Sequence, residues 1–417
     1  MVVVMPALDT ASDAPATSVA VPNRARRRLR VCAISFKPCW QDASGRWMSF
    51  GGFPFQMAAI GSLFDDMTLV IVRVPPRDGG IALPAHARVV PLRSPRGADL
   101  RRKLSVAALM PYYVWKIAAS AWNADSVHVP LPGDVPLLGM WIALAMRKRV
   151  LARYGGSWVA NTQSTFMNRV TKACMRRFAG GRNVMLATGD GDAAPAAGME
   201  WVFSTALARR ELEGIVPRLN RGLSNPPQLV YAGRLSQEKG VAVLIDALGH
   251  LAKDPSAPQP HLTILGDGDE RAALEARAAA VGCHGRVTFA GQVDRETLSS
   301  ALDVADVCVQ PSLTEGFSKA WLDAMAHGLP VLASNVGAAS AVIGMHGERG
   351  WLVAPGDALE LAAAIRRVLV DHQDWTELRR RCRAYVEGRT LEAWAERIGT
   401  MCAARWGWTM TDGRLQA

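Results

Sequence analysis

The chain has 417 residues, enough for two or three domains with separate hydrophobic cores. Its seven cysteines include no Cys-x-x-Cys pair, so the sequence indicates neither a disulfide framework nor a cysteine-based zinc site, and a reducing cytoplasm is the expected compartment. The apolar runs are shorter than the roughly 20 residues that a membrane-spanning helix needs. Residues 1–200 contain 25 Lys and Arg against 12 Asp and Glu, a net charge of +13, whereas residues 201–417 contain 23 against 25, a net charge of −2.

The N-terminal domain is predicted to follow a basic, disordered tail over residues 1–29. The apolar run 31–35 predicts a first strand that is bounded by Pro38. A glycine-rich stretch then becomes helical near Gln56, and residues 68–72 form the next strand. This order of strand, glycine loop, helix and strand is typical of a parallel α/β sheet.

Later segments continue the pattern to residue 210, which gives a Rossmann-like domain over residues 30–210. We expect an amphipathic or buried helix at 106–122, a short strand at 126–129, a helix at 136–150 and a strand at 183–187.

A second series of alternating elements begins at residue 228. Strands are predicted at 228–233, 261–266, 286–291 and 307–312, with helices at 240–251, 269–282 and 296–305. The Pro- and Gly-containing stretch 205–226 is a candidate hinge. The sequence therefore predicts an α/β fold of two facing, doubly wound, Rossmann-like domains, the second over residues 211–390, with an interdomain cleft and a C-terminal helix in residues 391–417.

Residues 311–334, PSLTEGFSKAWLDAMAHGLPVLAS, place the Glu315 carboxylate on a glycine turn at a helix start. Gly316 allows a ligand to approach the backbone, and Ser318 is predicted to cap the helix. The amides from Gly316 through Phe317 and Ser318 to Lys319 form an anion site suited to a diphosphate. Glu315 can accept hydrogen bonds from sugar hydroxyls.

The loop after the strand 228–233 carries two cations five residues apart, Arg234 and Lys239, behind Gly233. On a strand-to-helix loop both can point into the predicted cleft. A guanidinium fork and an ammonium group there would stabilise the negative charge of a departing diphosphate.

Both stretches resemble motifs of one family, the retaining B-type glycosyltransferases of family 4. Residues 315–331 resemble its Glu-x7-Glu signature, with Asp323 at the second glutamate, and residues 233–240 resemble its G-R-x-x-x-x-K-G loop. The resemblance implies the GT-B architecture and a nucleoside-diphosphate-sugar donor. It assigns Arg234 and Lys239 to the diphosphate and Asp323 to the ribose, and it implies that the C-terminal helix crosses back onto the first domain.

Further donor contacts follow from the same resemblance. Gly266 and Gly268 match a glycine loop that lines the nucleotide pocket, and residues 286–293, ending at Val293, would contact the base through their backbone. A dinucleotide interpretation is weaker because the third glycine is missing. Asp267 and Asp269 are spaced like a metal-binding pair, but they begin a helix that favours acidic residues, so we expect no metal and no other cofactor.

The first domain contributes the paired glycines Gly51 and Gly52, which the family places near the donor phosphate or the acceptor. Paired glycines also serve plain turns, so both interpretations remain. His128, at the end of a strand, resembles a catalytic-face histidine of the family, with Pro130 where a second histidine is common. A lone strand-end histidine is otherwise structural.

The resemblance thus implies transfer of a hexose-type sugar, with retention, from a nucleoside diphosphate to a hydroxyl acceptor. A lipid-linked saccharide of surface or exopolysaccharide biosynthesis is one candidate acceptor, and no nucleic-acid partner is expected. The basic first half suggests a face against anionic membrane. In the whole chain, however, 40 of the 48 basic residues are Arg, which also reflects genomic base composition. The alternatives are a non-catalytic sugar-nucleotide-binding protein and a sugar-nucleotide 2-epimerase.

Overall fold

The computed structural model describes residues 27–417 except 78, 98, 159–164, 192, 346 and 372–373. Residues 1–26 of the predicted tail lie outside the described residues. The prediction of disorder up to residue 29 is wrong at its end, because Leu29 is fully buried and its amide donates to the Asp65 carboxylate at 2.8 Å.

The N-terminal sheet has seven parallel strands in the order β5-β3-β1-β6-β7-β8-β9, with two short strands, β2 and β4, added antiparallel beside β1. The strands are β1 (Arg30–Gln41), β2 (Trp47–Ser49), β3 (Asp66–Arg73), β4 (Ile81–Ala82), β5 (Ala87–Arg93), β6 (Ser126–Leu131), β7 (Arg149–Tyr154), β8 (Asn183–Thr188) and β9 (Met199–Val202). The helices are α1 (Phe53–Gly61), α2 (Asp99–Trp122), α3 (Asp134–Ala145) and α4 (Phe166–Phe178).

Two predicted boundaries in this domain are wrong. The first strand continues through Pro38, because its pairing with β3 shifts register between Ser35 and Pro38 and so absorbs two extra residues. The helix predicted at 136–150 ends at Ala145, and β7 begins at Arg149. Arg147 has a positive φ of 53°, which ends the helix, and an arginine does not signal such a turn in the sequence.

The C-terminal sheet is parallel throughout, in the order β12-β11-β10-β13-β14-β15. Its strands are β10 (Gln228–Ala232), β11 (His261–Leu265), β12 (Val287–Gly291), β13 (Val307–Gln310), β14 (Val331–Ser334) and β15 (Gly350–Val353). The domain's helices, with the linker helix α5 before them, are α5 (Arg209–Gly214), α6 (Val241–Ala252), α7 (Arg271–Ala280), α8 (Arg295–Val304), α9 (Lys319–Ala326), α10 (Ala339–Ile343) and α11 (Ala358–Asp371).

The chain ends with α12 (Trp375–Val386), α13 (Leu391–Trp406) and a hairpin of β16 (Thr409–Thr411) and β17 (Arg414–Gln416). Helix α13 packs against α1, β8 and β9 of the N-terminal domain. One buried cluster contains side chains from both domains, including Met57, Trp321 and Trp394. The C-terminal segment therefore connects the two domains through a shared apolar core.

Both sheets have the strand order of doubly wound domains, and the order reverses beside β1 in the first and beside β10 in the second. Ligands of such folds bind beyond the carboxyl ends of the strands at this switch point. The predicted fold class, two Rossmann-like domains with a cleft, is confirmed.

Candidate functional site

A cavity of about 860 Å³ lies between the two domains. Both switch points contribute to it, as do the loops that follow β1, β7, β10 and β13. Its lining includes Lys37, Gly51, Gly52, Gln56, Arg153 and Ser204 from the first domain and Gly233, Arg234, Lys239, Glu315, Phe317, Ser318 and Lys319 from the second. The structure thus brings together most of the residues that the two sequence motifs single out.

Lys239 and Glu315 form an ion pair at the centre of the second domain's wall. The backbone positions them, because the amide of Leu313 donates to the carbonyl of Glu238 at 2.9 Å and joins their two loops. The Glu315 carboxylate also accepts from the amide of Gly316 at 3.0 Å. Lys239 and Glu315 are 20% and 13% exposed, so both remain accessible to a ligand in the cavity.

Arg234 lies beside this pair, and 68% of its side chain is exposed. Its guanidinium is 3.9 Å from Glu238, a surface separation that holds the side chain weakly. The backbone is firmer, since the Tyr231 hydroxyl donates to the Arg234 carbonyl at 2.9 Å. Arg234 can therefore reorient toward an incoming anion while its loop stays fixed.

Lys319 begins α9 and extends toward the first domain. A Cβ on Gly52 would lie 2.6 Å from its amino group, so the absence of a side chain at Gly52 is what lets Lys319 approach that wall. Burial lowers the pKa of Lys319 to about 8, and the positive charges of Arg153 and Lys37 act in the same direction. An anion in the cavity would stabilise the charged ammonium form.

Gly316 is where the backbones of the two domains meet. A Cβ on Gly316 would lie 2.7 Å from the carbonyl carbon of Gly156 and 3.0 Å from the amide nitrogen of Ser157. Ser318 occupies the N-cap position of α9, but its side chain makes no capping hydrogen bond, contrary to the prediction. Because Ser318 leaves the first amides of α9 without a side-chain cap, they remain available to an anionic ligand.

The first domain adds two cations that sequence analysis did not single out, Lys37 and Arg153. Lys37 lies in the irregular stretch of β1, and Arg153 is near the end of β7, just before Gly155 and Gly156. Residues 149–156 form a short apolar run followed by paired glycines. The same signal, a strand followed by glycine, was used at residues 228–233 and would have found Arg153.

His128 does not line the cavity. It is fully buried in β6, where its Nδ1 is 3.0 Å from the Leu151 carbonyl oxygen and its Nε2 has no partner in the described part of the chain. Burial, followed by the charge of Arg153, lowers the pKa of His128 to about 3. A neutral imidazole in this position fits the structural interpretation of His128.

Gly266, Gly268 and Val293 also lie outside the cavity lining. A Cβ on Gly266 would overlap the Gly233 carbonyl oxygen, and one on Gly268 would lie 2.1 Å from the Leu235 carbonyl oxygen. The two glycines therefore allow their loop to pack on the loop that carries Arg234. Val293 is partly buried against the shared core.

Asp323 points away from the cavity and toward the interdomain linker. Its carboxylate accepts from Arg295 at 3.1 Å, and Arg295 also donates to Glu211 of α5 at 2.9 Å. Asp323 is 11% exposed. The structure thus places the shorter carboxylate in an ion-pair network that joins α9, α8 and the linker helix.

No group of three or more His, Cys, Asp or Glu suited to a metal ion occurs among the residues that the structure describes. Within that same part of the chain, every helix is too short or too polar to cross a bilayer.

Comparison with known proteins gives matches concentrated in the second domain. Residues 226–371 match the family model described as Glycosyl transferases group 1. A glycogen synthase from Mycobacterium tuberculosis is 37% identical over 151 residues, which are 36% of this chain and 36% of that protein. A 2-deoxystreptamine glucosyltransferase from Streptomyces kanamyceticus is 28% identical over 271 residues, 60% of this chain and 69% of that protein. The chain thus spans about a third of the length of the first of these relatives.

Solved structures match across both domains. Alr3699/HepE from Anabaena, in complex with UDP and glucose, has a TM-score of 0.67 at 19% identity, covering 90% of this chain and 100% of that chain. Sucrose-phosphate synthase from Thermosynechococcus elongatus has a TM-score of 0.68 at 23% identity, covering 91% and 100%. The protein therefore has the fold of the B-type glycosyltransferases, which confirms the predicted GT-B architecture, while the retaining, family 4 part of the resemblance stays a prediction.

The contact at Gly316 leads to a first prediction. Gly316→Ala should hold the domains apart, because its Cβ would press on the backbone of Gly156. We expect a larger radius of gyration by small-angle X-ray scattering, with the fold of each domain retained by circular dichroism. The control is Gly214→Ala, since a Cβ there meets nothing within 4 Å. Identical scattering from both variants would contradict a closed state that depends on this glycine.

Proposed function

We propose that the protein is a glycosyltransferase that moves a hexose-type sugar from a nucleoside diphosphate to a hydroxyl acceptor. The observation that carries this proposal is the convergence of Arg234, Lys239 and Lys319 with Glu315 on one wall of an interdomain cavity. The three cations and one carboxylate have a net charge of +2. That charge matches the diphosphate of a sugar nucleotide, and Glu315 is left to accept hydrogen bonds from the sugar.

Catalysis in this proposal is electrostatic. The diphosphate leaves from the anomeric carbon, and the acceptor hydroxyl attacks on the same face through an oxocarbenium-like state, which retains the configuration. Arg234, Lys239 and the first amides of α9 stabilise the charge that gathers on the leaving oxygens. Since these groups already supply positive charge, the proposed reaction requires no metal ion.

The ligands and activities of similar proteins support the proposed donor class. The HepE structures from Anabaena are complexes with UDP or UDP-glucose, and one curated relative is a glucosyltransferase. The proposed donor is accordingly a nucleoside-diphosphate hexose.

An epimerase is the weaker candidate. Such an enzyme needs acid and base groups around the sugar ring, whereas Glu315 is the one carboxylate that lines the cavity in the described part of the chain, and it is paired with Lys239. A sensor that only binds the donor would use the same cavity, so turnover must separate it from a transferase.

Turnover provides the second prediction. A screen of UDP-, GDP-, ADP- and dTDP-hexoses should find one donor that is hydrolysed slowly or transferred. Lys239→Ala should lower that turnover by about 100- to 1000-fold, the usual effect of removing one charge-stabilising donor. The control is Lys253→Ala, at the C-cap of α6 and outside the cavity. Binding without turnover for every donor would favour the sensor, and inversion at C2 would favour the epimerase.

The lowered pKa of Lys319 provides the third prediction. In the free protein Lys319 is charged below about pH 8 and neutral above it. Since the bound diphosphate interacts with the charged form, affinity for the nucleoside diphosphate should fall as pH rises through this pKa, by up to about tenfold per pH unit. Calorimetric titration from pH 7 to about pH 9.5 measures it. Lys319→Arg, which stays charged, should remove the fall; a pH-independent affinity of the unaltered protein would contradict the role of Lys319.

We further propose that the acceptor is lipid-linked and that the protein contacts the inner face of an anionic membrane. Helix α2 supports this proposal, because its exposed side carries Leu104, Trp115 and Trp122 at 63%, 61% and 71% exposure. At helical spacing these three side chains fall on one stripe of about 27 Å. The net charge of +13 on residues 1–200 favours anionic lipid beside this stripe.

Binding to anionic vesicles is the fourth prediction, and vesicle flotation measures it. The protein should float with phosphatidylcholine vesicles that contain phosphatidylglycerol and much less with phosphatidylcholine alone. The double variant Trp115→Ser, Trp122→Ser should lose most of this binding, since interfacial Trp side chains anchor proteins to bilayers. The control is Val216→Ser with Val304→Ser, two exposed apolar residues outside the first domain. Equal flotation of both double variants would refute membrane contact through α2.

A further inference from the structure

The charges on the first domain's wall of the cavity are not matched by the proposed donor. Among the residues that the structure describes, this wall contains Lys37 and Arg153 and no Asp or Glu, a net charge of +2. The diphosphate already balances the second domain's wall. A nucleoside-diphosphate sugar alone therefore leaves two positive charges on the side of the cavity that faces the acceptor.

Arg153 is the strongest indication that the positive charge of this wall serves to bind a ligand. It is only 7% exposed, and its Nη atoms donate to the neutral side chains of Thr188 and Gln56 at 3.1 and 2.9 Å. Its Nε has no partner among the described residues, and no carboxylate forms an ion pair with it there. A buried cation without a counter-ion is costly unless an anion completes the site.

The surrounding residues hold the guanidinium in place. Its carbon lies 5.6 Å above the ring of Trp394, on the helix α13 that crosses from the second domain. Gln56, which holds Nη2 of Arg153, is itself anchored by its amide to Ser204 and to the Thr205 carbonyl at 3.1 and 3.0 Å. Because this shell contains only neutral groups, it fixes the orientation of Arg153 without neutralising its charge.

Lys37 adds a second, solvent-exposed cation to this buried one. The shift of β1 register between Ser35 and Pro38 turns residues 36 and 37 toward the cavity, where the Lys37 amino group makes no hydrogen bond or ion pair with a described residue. Burial lowers the pKa of Lys37, and the positive charges of Arg234 and then Arg153 act in the same direction, so these cations lie close enough to repel. An anion between them would relieve this repulsion.

From this arrangement we infer that the acceptor carries an anionic group, a phosphate or carboxylate, which Arg153 and Lys37 bind on the first domain's wall. This inference rests on the proposed glycosyl transfer and names the class of its acceptor. Phe36, Phe50 and Leu131 line the same wall, so either an alkyl phosphate or a soluble sugar phosphate fits its chemistry.

The test measures anion binding while the donor site is filled. The full chain is saturated with UDP, or with whichever nucleoside diphosphate binds, and is titrated calorimetrically with inorganic phosphate, glucose 6-phosphate, glucose and dodecyl phosphate. The phosphates should bind at a single further site and glucose should not. Tighter binding of dodecyl phosphate would indicate a lipid source for the anionic group, and tighter binding of glucose 6-phosphate a soluble one.

Two variants identify the site. Arg153→Gln and Lys37→Gln should each weaken phosphate binding by about 10- to 100-fold, as expected for loss of a charge-assisted hydrogen bond. Lys37 is solvent-accessible, so its variant keeps the test valid even where Arg153→Gln disturbs folding. The control is Arg169→Gln, an exposed cation on α4 outside the cavity.

The outcomes also separate the two proposals. Absence of phosphate binding with the nucleotide in place, or phosphate binding unchanged by Lys37→Gln and Arg153→Gln, would overturn the anionic acceptor and leave the donor proposal standing. The anionic acceptor would also be overturned if both variants lost as much nucleotide affinity as Lys239→Ala, since Lys37 and Arg153 would then bind the donor. A different result would overturn the proposal of a nucleoside-diphosphate-sugar donor. In that case no nucleoside diphosphate binds, while Lys37 and Arg153 bind phosphate in the free protein.

Discussion

The close approach of two backbones, Gly316 of the second domain and Gly156 of the first, is the constraint on which the site depends. It brings the carboxyl ends of two parallel sheets face to face. Each sheet alone offers only half of a pocket, with cations exposed on a loop. With the backbones in contact, the halves enclose a cavity in which charges from both domains act on one another, as the lowered pKa of Lys319 shows.

Charge is distributed in this cavity by domain. The second domain provides cations that balance a diphosphate and a carboxylate suited to sugar hydroxyls. The first provides cations beside which the described lining residues place no carboxylate. The same division appears in the net charges of the two halves of the sequence. Donor chemistry and acceptor chemistry are therefore proposed to reside in different domains, which the shared core and helix α13 hold together.

Sequence analysis predicted the second domain well because its signals are local. Alternating apolar runs and glycine turns fix its strands, and the two loops with Arg234, Lys239 and Glu315 follow strands directly. The predicted GT-B fold is confirmed. The assignments of individual residues stay predictions, although the structure gathers Gly51, Gly52 and Gly233 with those three around one cavity.

What the sequence did not reveal depends on partners distant along the chain. Asp323 is held by Arg295, 28 residues earlier, and no local pattern indicates that contact. Arg153 was missed because its position depends on Thr188 and Gln56, 35 and 97 residues away, and Lys37 because a register shift is decided by pairing with β3. The sequence could not show whether Gly266 and Gly268 belong to a ligand-binding loop or allow close backbone packing, since both a ligand and a close backbone neighbour require glycine.

A crystal structure of the protein with its nucleoside diphosphate tests the central claim most directly. The account predicts the two phosphates within hydrogen-bond distance of Arg234, Lys239 and the first amides of α9, with the Lys239–Glu315 pair opened by the ligand. A nucleotide bound elsewhere, or one whose phosphates face solvent away from these groups, would contradict it.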